Sequence, residues 1–195
     1  MEFTTYNITL EQIVELAAVM FGLAYVVLAI RIHHWCWYMT FCSGTLFLWL
    51  FWNVELYLMS LLQIVFMGIA IYGIFKWNPN SNNMEERITT IKPKHHLYIL
   101  SLIVLSSIVI GWFLNHYTDD AFPYLDTFTA LGSLITSWMV AKKILENWLY
   151  WIVIDAVSIY IYIGRELYLT VLLFTIYLIM AALGYHQWKL SYQQQ

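Results

Sequence analysis

The chain has 195 residues, of which 62% are hydrophobic and 11% charged, with a formal net charge of −3. Soluble domains run at about 45–50% apolar and about 25% charged, and a chain this short has too little interior to hide the excess. A soluble enzyme, a nucleic-acid binder and a disordered segment are thereby excluded, and a polytopic membrane protein remains. A span takes about 20 apolar residues, so seven spans use most of the chain and leave no room for a soluble domain.

In chain order, the opening Met1–Gln12 stretch holds no Lys or Arg, so it lacks the basic start of a cleaved secretory signal. Membrane entry is left to the spans themselves. The apolar runs are continuous for about twenty residues rather than alternating, which predicts helices instead of barrel strands. Seven are expected, over about 11–32, 35–53, 56–77, 97–117, 122–142, 144–164 and 167–189. Ala18 and Gly22 in the first are small residues four apart, a weak signal of close helix packing. Cys36 and Cys42 in the second read as plain small membrane residues, with neither a metal nor a disulfide framework implied. Asn53 and Glu55 divide the second span from the third. Asn78-Pro79-Asn80-Ser81-Asn82-Asn83 opens the one long loop, which closes at Lys92-Pro93-Lys94 and carries Glu85-Glu86-Arg87 as solvated charge. Thr118-Asp119-Asp120 and Pro123 separate the fourth span from the fifth, Lys142 and Lys143 end the fifth, and Gly164-Arg165-Glu166 turns the sixth into the seventh.

Lys and Arg set the expected orientation. With the N-terminus outside, Arg31, Lys76, Arg87, Lys92, Lys94, Lys142, Lys143 and Lys189 all fall on the cytoplasmic side and only Arg165 falls outside. The loop bearing Asp119, Asp120 and Asp126 has no basic residue and suits the outer face. The expectation is therefore N-terminus out, C-terminus in.

Shifted by 111 residues, the chain matches itself. Trp37 falls on Trp148, Glu55-Leu56-Tyr57-Leu58 on Glu166-Leu167-Tyr168-Leu169, Leu61-Leu62 on Leu172-Leu173, Ala70 on Ala181, Gly73 on Gly184 and Trp77 on Trp188. No gap is needed, and 10 of the 41 positions from 37 to 77 are identical. The expected architecture is all-α: repeat one over about 11–77, a linker helix over about 97–117, and repeat two over about 122–189. An odd repeat and an odd spacer give both copies the same direction, a parallel repeat of the SWEET kind, with the substrate site expected near the midplane between the copies. Transport is the function such an architecture serves.

The sixth span carries the chemistry. Trp148, Trp151, Asp155, Ser158 and Tyr162 follow one another at spacings of 3, 4, 3 and 4, which puts them on one helical face. A carboxylate in mid-membrane costs about 2.5–3.5 kcal/mol on insertion scales and marks a pathway by default. Tryptophan faces beside it attract a desolvated organic cation by about 2 kcal/mol. The equivalent positions of the first copy are Trp37, Thr40, Gly44, Phe47 and Phe51, so the acid is present once. The set reads as a slot for a flat aromatic cation. Tryptophans near a helix start also serve as interface belts, and Asp155 can equally be a structural partner of a neighbouring hydroxyl. Gln63 in the third span either hydrogen-bonds a substrate or bonds another helix. Ser133, Thr136 and Ser137 read as packing residues, and Glu55 and Glu166 as acids at the positive ends of helices. The six histidines lie at membrane edges without metal spacing. No phosphate loop and no catalytic triad or metal-protease pattern is visible, so neither an ATPase nor another enzyme is expected, and no cofactor.

Glu146-Asn147-Trp148-Leu149-Tyr150-Trp151-Ile152-Val153-Ile154-Asp155-Ala156-Val157-Ser158 resembles the signature of the PnuC family of bacterial vitamin transporters. Asp120-Ala121-Phe122-Pro123-Tyr124-Leu125-Asp126 is similar too, as are Leu56-Tyr57, Leu61-Leu62-Gln63-Ile64, Tyr72-Gly73 and Trp77. The resemblance covers most of the chain from about 37 to 188. It implies a three-plus-one-plus-three fold, often a homotrimer, in the bacterial inner membrane. It implies uptake of nicotinamide riboside by facilitated diffusion, with trapping by a cytoplasmic kinase. By motif, Asn147, Trp148, Trp151 and Gln63 line the substrate site. Close relatives handle thiamine, the alternative substrate. A vitamin-binding subunit of an ATP-driven importer is the rival of another class.

Overall fold

The computed structural model describes residues 10–77 and 87–195. The opening nine residues, the Asn78-to-Asn83 loop signal and Glu85-Glu86 lie outside the described residues. Seven helices follow one another: α1 (Leu10–Ile30), α2 (Cys36–Asn53), α3 (Tyr57–Lys76), α4 (Pro93–Tyr117), α5 (Pro123–Ala141), α6 (Asn147–Gly164) and α7 (Tyr168–Gln193). Among the described residues the only strand-like pairing is the single bridge Thr89–Ile144. Each expected span is a helix. α4 starts at Pro93 rather than near 97, because proline fits the first helical position, where no N–H is required, and pushes Lys92 into extended backbone. His95 and His96 thereby enter the first turn. α7 runs on to Gln193, past the expected 189.

By length and composition, α1, α3, α4, α6 and α7 suffice to cross a membrane. α2 and α5, with 18 and 19 residues, are diluted by Thr, Ser, Gly and aromatic residues. Leu16, Met20, Leu105, Ile108, Leu172 and Leu183 are all exposed, on helices whose buried residues are largely small. Water does not tolerate such a surface over so many helices, and lipid does. The chain is a multi-pass membrane protein.

The described residues fall into two compact units, one within 1–28 and 33–78 and the other within 29–32 and 79–195. In the first, Trp37 of α2 is buried against Gly73 of α3 and meets Trp77 edge-on, with ring centroids 5.5 Å apart at 87°. In the second, Trp148 of α6 is buried against Gly184 of α7 and meets Trp188 at 5.5 Å and 85°. The 111-residue shift thus reproduces a packing motif. A Cβ on Gly184 would stand 2.6 Å from the Trp148 ring, so only glycine leaves room for the indole.

Helix ends repeat as well. Ile32, Glu55, Lys143 and Glu166 have φ of 56°, 61°, 53° and 58°, two pairs again 111 residues apart. At each, the next N–H reaches back five residues, as in His33 N–H to Leu28 O at 2.9 Å and Ile144 N–H to Met139 O at 3.0 Å. This is the Schellman stop, built without the usual glycine at a cost of about 1–2 kcal/mol per residue. Glu55 and Glu166, read from the sequence as acids at helix starts, are these left-handed stops of α2 and α6, each two residues ahead of the next helix.

Gly184→Ala should destabilise by about 1–3 kcal/mol, since α6 and α7 must part to admit a methyl group. Gly68→Ala meets nothing within 4 Å and should stabilise by up to about 1 kcal/mol through helix propensity. Thermal melts of the two variants in one detergent check this; equal shifts would refute the seam.

Candidate functional site

The start of α6 is fixed by the segment ahead of α4. Thr89 N–H donates to Lys143 O at 2.9 Å, and Leu145 N–H donates back to Thr89 O at 2.8 Å. Ile91 N–H donates to the Glu146 carboxylate at 3.3 Å. Ile88 is buried beside this strap.

Asn147, the first residue of α6, is fully buried. Its Nδ2 donates to Ile144 O at 2.6 Å, while Oδ1 is buried with no partner. The Trp148 indole N–H is likewise buried and unmatched. Two turns on, about 12 Å along the axis, Asp155 is 3% exposed. Among the described residues it has no hydrogen-bond or ion-pair partner; α7, which carries Tyr177, packs on α6. Ser158 is buried a turn further. Thr136 of α5, which packs on α6, has a buried hydroxyl without a partner. An unmatched buried polar atom costs about 1–3 kcal/mol, and several on one helix and its neighbour call for an outside partner.

The expected face is thus only partly uniform. Trp148, Asp155 and Ser158 are buried, whereas Trp151 and Tyr162 are half-buried. Trp151 flanks the cluster of Ile103, Met139, Tyr150 and Ile154, and the Tyr162 ring lies 5.1 Å from that of Phe174. Gln63 is half-buried on α3 of the first unit. That unit has Cys36, Thr40 and Gly44 where the second has Asn147, Trp151 and Asp155; the vacancy over Gly44 is filled by Met67. Tyr177 escaped the sequence reading, yet a signal was there: its counterpart 111 residues earlier is Phe66, the same apolar-to-polar change that marks Asp155.

At the far end of α6, Arg165 holds Asp126 through Nη1 at 3.2 Å and Nη2 at 2.5 Å, and Asp120 through Nη2 at 2.7 Å. Partial burial works against the guanidinium charge, but the bonds and charges of Asp126 and Asp120 outweigh it and raise the Arg165 pKa. The Phe122 ring lies under the guanidinium at 5.8 Å and packs on Gly164. The basic residue set apart by the sequence is therefore clamped to the acids of the α4–α5 connection. Arg165→Met leaves both acids unpaired and should cost about 1–2 kcal/mol, the low part of the range for charged hydrogen bonds because all three groups keep some water. Adding Asp126→Asn should recover part of the lost melting temperature; no recovery would mean that the clamp contributes only packing.

Among the described residues, seven helices with a lipid-facing apolar surface enclose unmatched polar atoms in both units: Trp37 Nε1 and Ser60 Oγ in the first, and Asn147 Oδ1, Trp148 Nε1 and the Thr136 hydroxyl in the second. They define an integral membrane protein of transporter type. The chain belongs to the nicotinamide mononucleotide transporter family, whose model matches residues 12–190. It is 26% identical over 170 residues to the nicotinamide riboside transporter PnuC of Escherichia coli (strain K12), covering 74% of this chain and 71% of that protein. It is 20% identical over 173 residues to the riboflavin/roseoflavin transporter RibM of Streptomyces davaonensis, covering 87% and 81%. A crystal structure of the vitamin B3 transporter PnuC superposes with a TM-score of 0.73 at 18% identity, over 93% of this chain and 82% of that one.

The two tryptophans should behave differently. Trp148→Ala empties the α6–α7 seam and should lower stability by about 3–5 kcal/mol. Trp151→Ala, at a half-buried position, should leave the melt near wild type and weaken binding of a cationic ligand by about 1–2 kcal/mol, roughly tenfold in Kd. Melts and ligand titrations on both variants separate the roles, and an unaltered Kd in Trp151→Ala would return that residue to packing.

Proposed function

We propose that this chain carries nicotinamide riboside into a bacterial cell across the inner membrane, by facilitated diffusion, with a cytoplasmic kinase trapping the product. Family membership and the name of the Escherichia coli relative support the substrate. The observation that carries the reading is Asp155: a carboxylate inside a span, 3% exposed, with no hydrogen-bond or ion-pair partner among the described residues. Such a group persists when it serves a function, and a flat cation supplies the missing charge. A neutral flavin, named for the Streptomyces relative, has no use for it. Asn147 supplies an acceptor, Trp151 a π face, Trp148 an indole donor, and Gln63 belongs to the same proposed set.

The proposal includes the rest of the organisation. Repeat one spans about 11–77, the linker helix about 97–117 and repeat two about 122–189. The N-terminus is outside and the C-terminus in the cytoplasm, which places the Arg165 clamp on the outer face. The assembly is a homotrimer. Thiamine is the second reading, because it is also a flat aromatic cation that the same acid and ring would hold.

Inward movement of a cation is already favoured by the membrane potential, by about 2.3 kcal/mol per 100 mV, so no coupling ion is required. Purified protein in liposomes should exchange labelled nicotinamide riboside without any imposed proton or sodium gradient, and accumulate it only when a kinase is enclosed. Asp155→Asn should weaken binding of the riboside more than that of an uncharged analogue of the same shape. Uphill uptake driven by a proton gradient at zero potential would overturn the uncoupled mechanism, and equal losses for charged and uncharged ligands would make Asp155 structural. Competition by excess thiamine in the same exchange assay decides between the two vitamins.

A further inference from the structure

A second feature of α6 lies on its other side. A groove of about 320 Å³ opens between α4, α5 and α6, all of the second unit. Its α6 lining is Glu146, Leu149, Tyr150, Val153 and Ile154, whereas the candidate substrate face runs through Trp148, Trp151, Asp155, Ser158 and Tyr162. At about 100° per residue the two sets centre roughly 150° apart. Leu149 and Val153 are 42% and 50% exposed, so the groove faces lipid. It passes from His96 down to Ile103 on α4, about 10 Å along the axis, and its floor is widened at Gly132, where a Cβ would press on Ile154.

The walls are apolar and the mouth is not. His96 Nδ1 and the Tyr150 hydroxyl are hydrogen-bonded at 2.9 Å, and His96 Nε2 is 4.0 Å from Glu146 Oε1. Glu146 Oε1 also accepts from Ile91 N–H, while Oε2 is buried without a donor. Lys92, Lys94 and His95 are exposed next to His96 in the chain, at the start of α4 and outside the groove's own lining. One half-satisfied acid next to a basic rim, above an apolar lane that opens to lipid, is complementary to a zwitterion with a hydrocarbon tail.

We propose that this groove holds one acyl chain of a membrane phospholipid whose headgroup carries a primary ammonium and a phosphate, of the phosphatidylethanolamine type. The ammonium meets Glu146 and the phosphate meets the Lys92, Lys94 and His95 rim. The groove runs about 10 Å along α4 and holds about 320 Å³ between apolar walls below one polar mouth, a shape that suits one extended hydrocarbon chain; a helix of a second copy is the alternative that the Val153→Trp test separates. Basic pockets between transmembrane helices bind phosphate-bearing head groups of anionic lipids; the half-satisfied Glu146 carboxylate at this mouth is what turns the preference toward a head group that also carries an ammonium. The inference does not rest on the transported substrate, because the groove and the substrate face are on different sides of α6.

Native mass spectrometry of the purified full-length chain in detergent, with equal amounts of phosphatidylethanolamine, phosphatidylcholine and phosphatidylglycerol added, tests this. Phosphatidylethanolamine should be retained several-fold over phosphatidylcholine, which has the same charge but no N–H to donate. Val153→Trp fills the lane from a lipid-exposed position and should abolish the adducts while helicity and melting temperature stay near wild type. Glu146→Gln should bring phosphatidylethanolamine retention down to the phosphatidylcholine level. Equal retention of the two in the wild type, adducts that survive Val153→Trp, or a preference for phosphatidylglycerol would each overturn the proposal. So would loss of an oligomer rather than of lipid in Val153→Trp, which would assign the groove to a second copy.

Discussion

Within a bilayer an apolar side chain gains nothing by leaving lipid for protein, so helices associate through close fit and polar bonds. In this chain the fit is an indole seated on a glycine. Trp37 on Gly73 holds α2 to α3, and Trp148 on Gly184 holds α6 to α7. In each case a second tryptophan closes the contact edge-on at 5.5 Å. These are also the helix pairs in most extensive contact. Much of the remaining sequence identity between the copies lies near the corners that deliver these helices to one another, where Glu55 and Glu166 take left-handed backbone to stop α2 and α6. The cost of that conformation in a residue with a side chain is tolerated because the corner sets the register of the seam.

Once the scaffold is duplicated, the differences between copies carry the information. Asn147, Trp151 and Asp155 stand where the first copy has Cys36, Thr40 and Gly44, and Tyr177 stands where it has Phe66. Each of the polar substitutions at Asn147, Asp155 and Tyr177 raises the cost of placing the helix in lipid; Asn147 spends its Nδ2 on Ile144 O at 2.6 Å but leaves Oδ1 unmatched, and Asp155 has no hydrogen-bond or ion-pair partner among the described residues. A structural role would have been served equally by the apolar version already present in the other copy. The asymmetry argues for a single ligand site on the second copy, and for a ligand that brings its own charge and hydrogen-bonding groups.

The helices were legible in the sequence because lipid imposes continuous apolar runs, and the boundaries that moved did so for local reasons. Pro93 begins α4 because a proline suits the first turn. α1 ends before Ile32 because a Schellman stop was built on isoleucine, a residue that gives no warning of φ > 0. The paired seams were legible as identities at Trp37, Gly73 and Trp77, though identity alone does not tell an indole that packs from one that faces a ligand. Burial separates their surroundings: Trp148 is enclosed in the seam with its N–H unmatched, as is that of its counterpart Trp37, and Trp151 is half-open. The strap through Thr89, the His96–Tyr150–Glu146 mouth and the Arg165 clamp join residues 39 to 56 positions apart. Nothing in local periodicity encodes such pairings.

Those long-range contacts explain how an expensive helix is kept in place. α6 is pinned at one end by the strap, through two backbone hydrogen bonds and the Glu146 carboxylate, and at the other by Arg165 bridging to Asp120 and Asp126. These contacts at both ends oppose rotation of α6 about its axis, which would carry Asp155 toward lipid. On the reading proposed above, a face so constrained would meet a ligand with its donors and acceptors already in position, with little ordering entropy left to lose on binding. The first copy has Val54 at the position of Arg165. The clamp therefore accompanies the polar face and not the fold, as expected if it exists to hold Asp155 where a ligand can reach it.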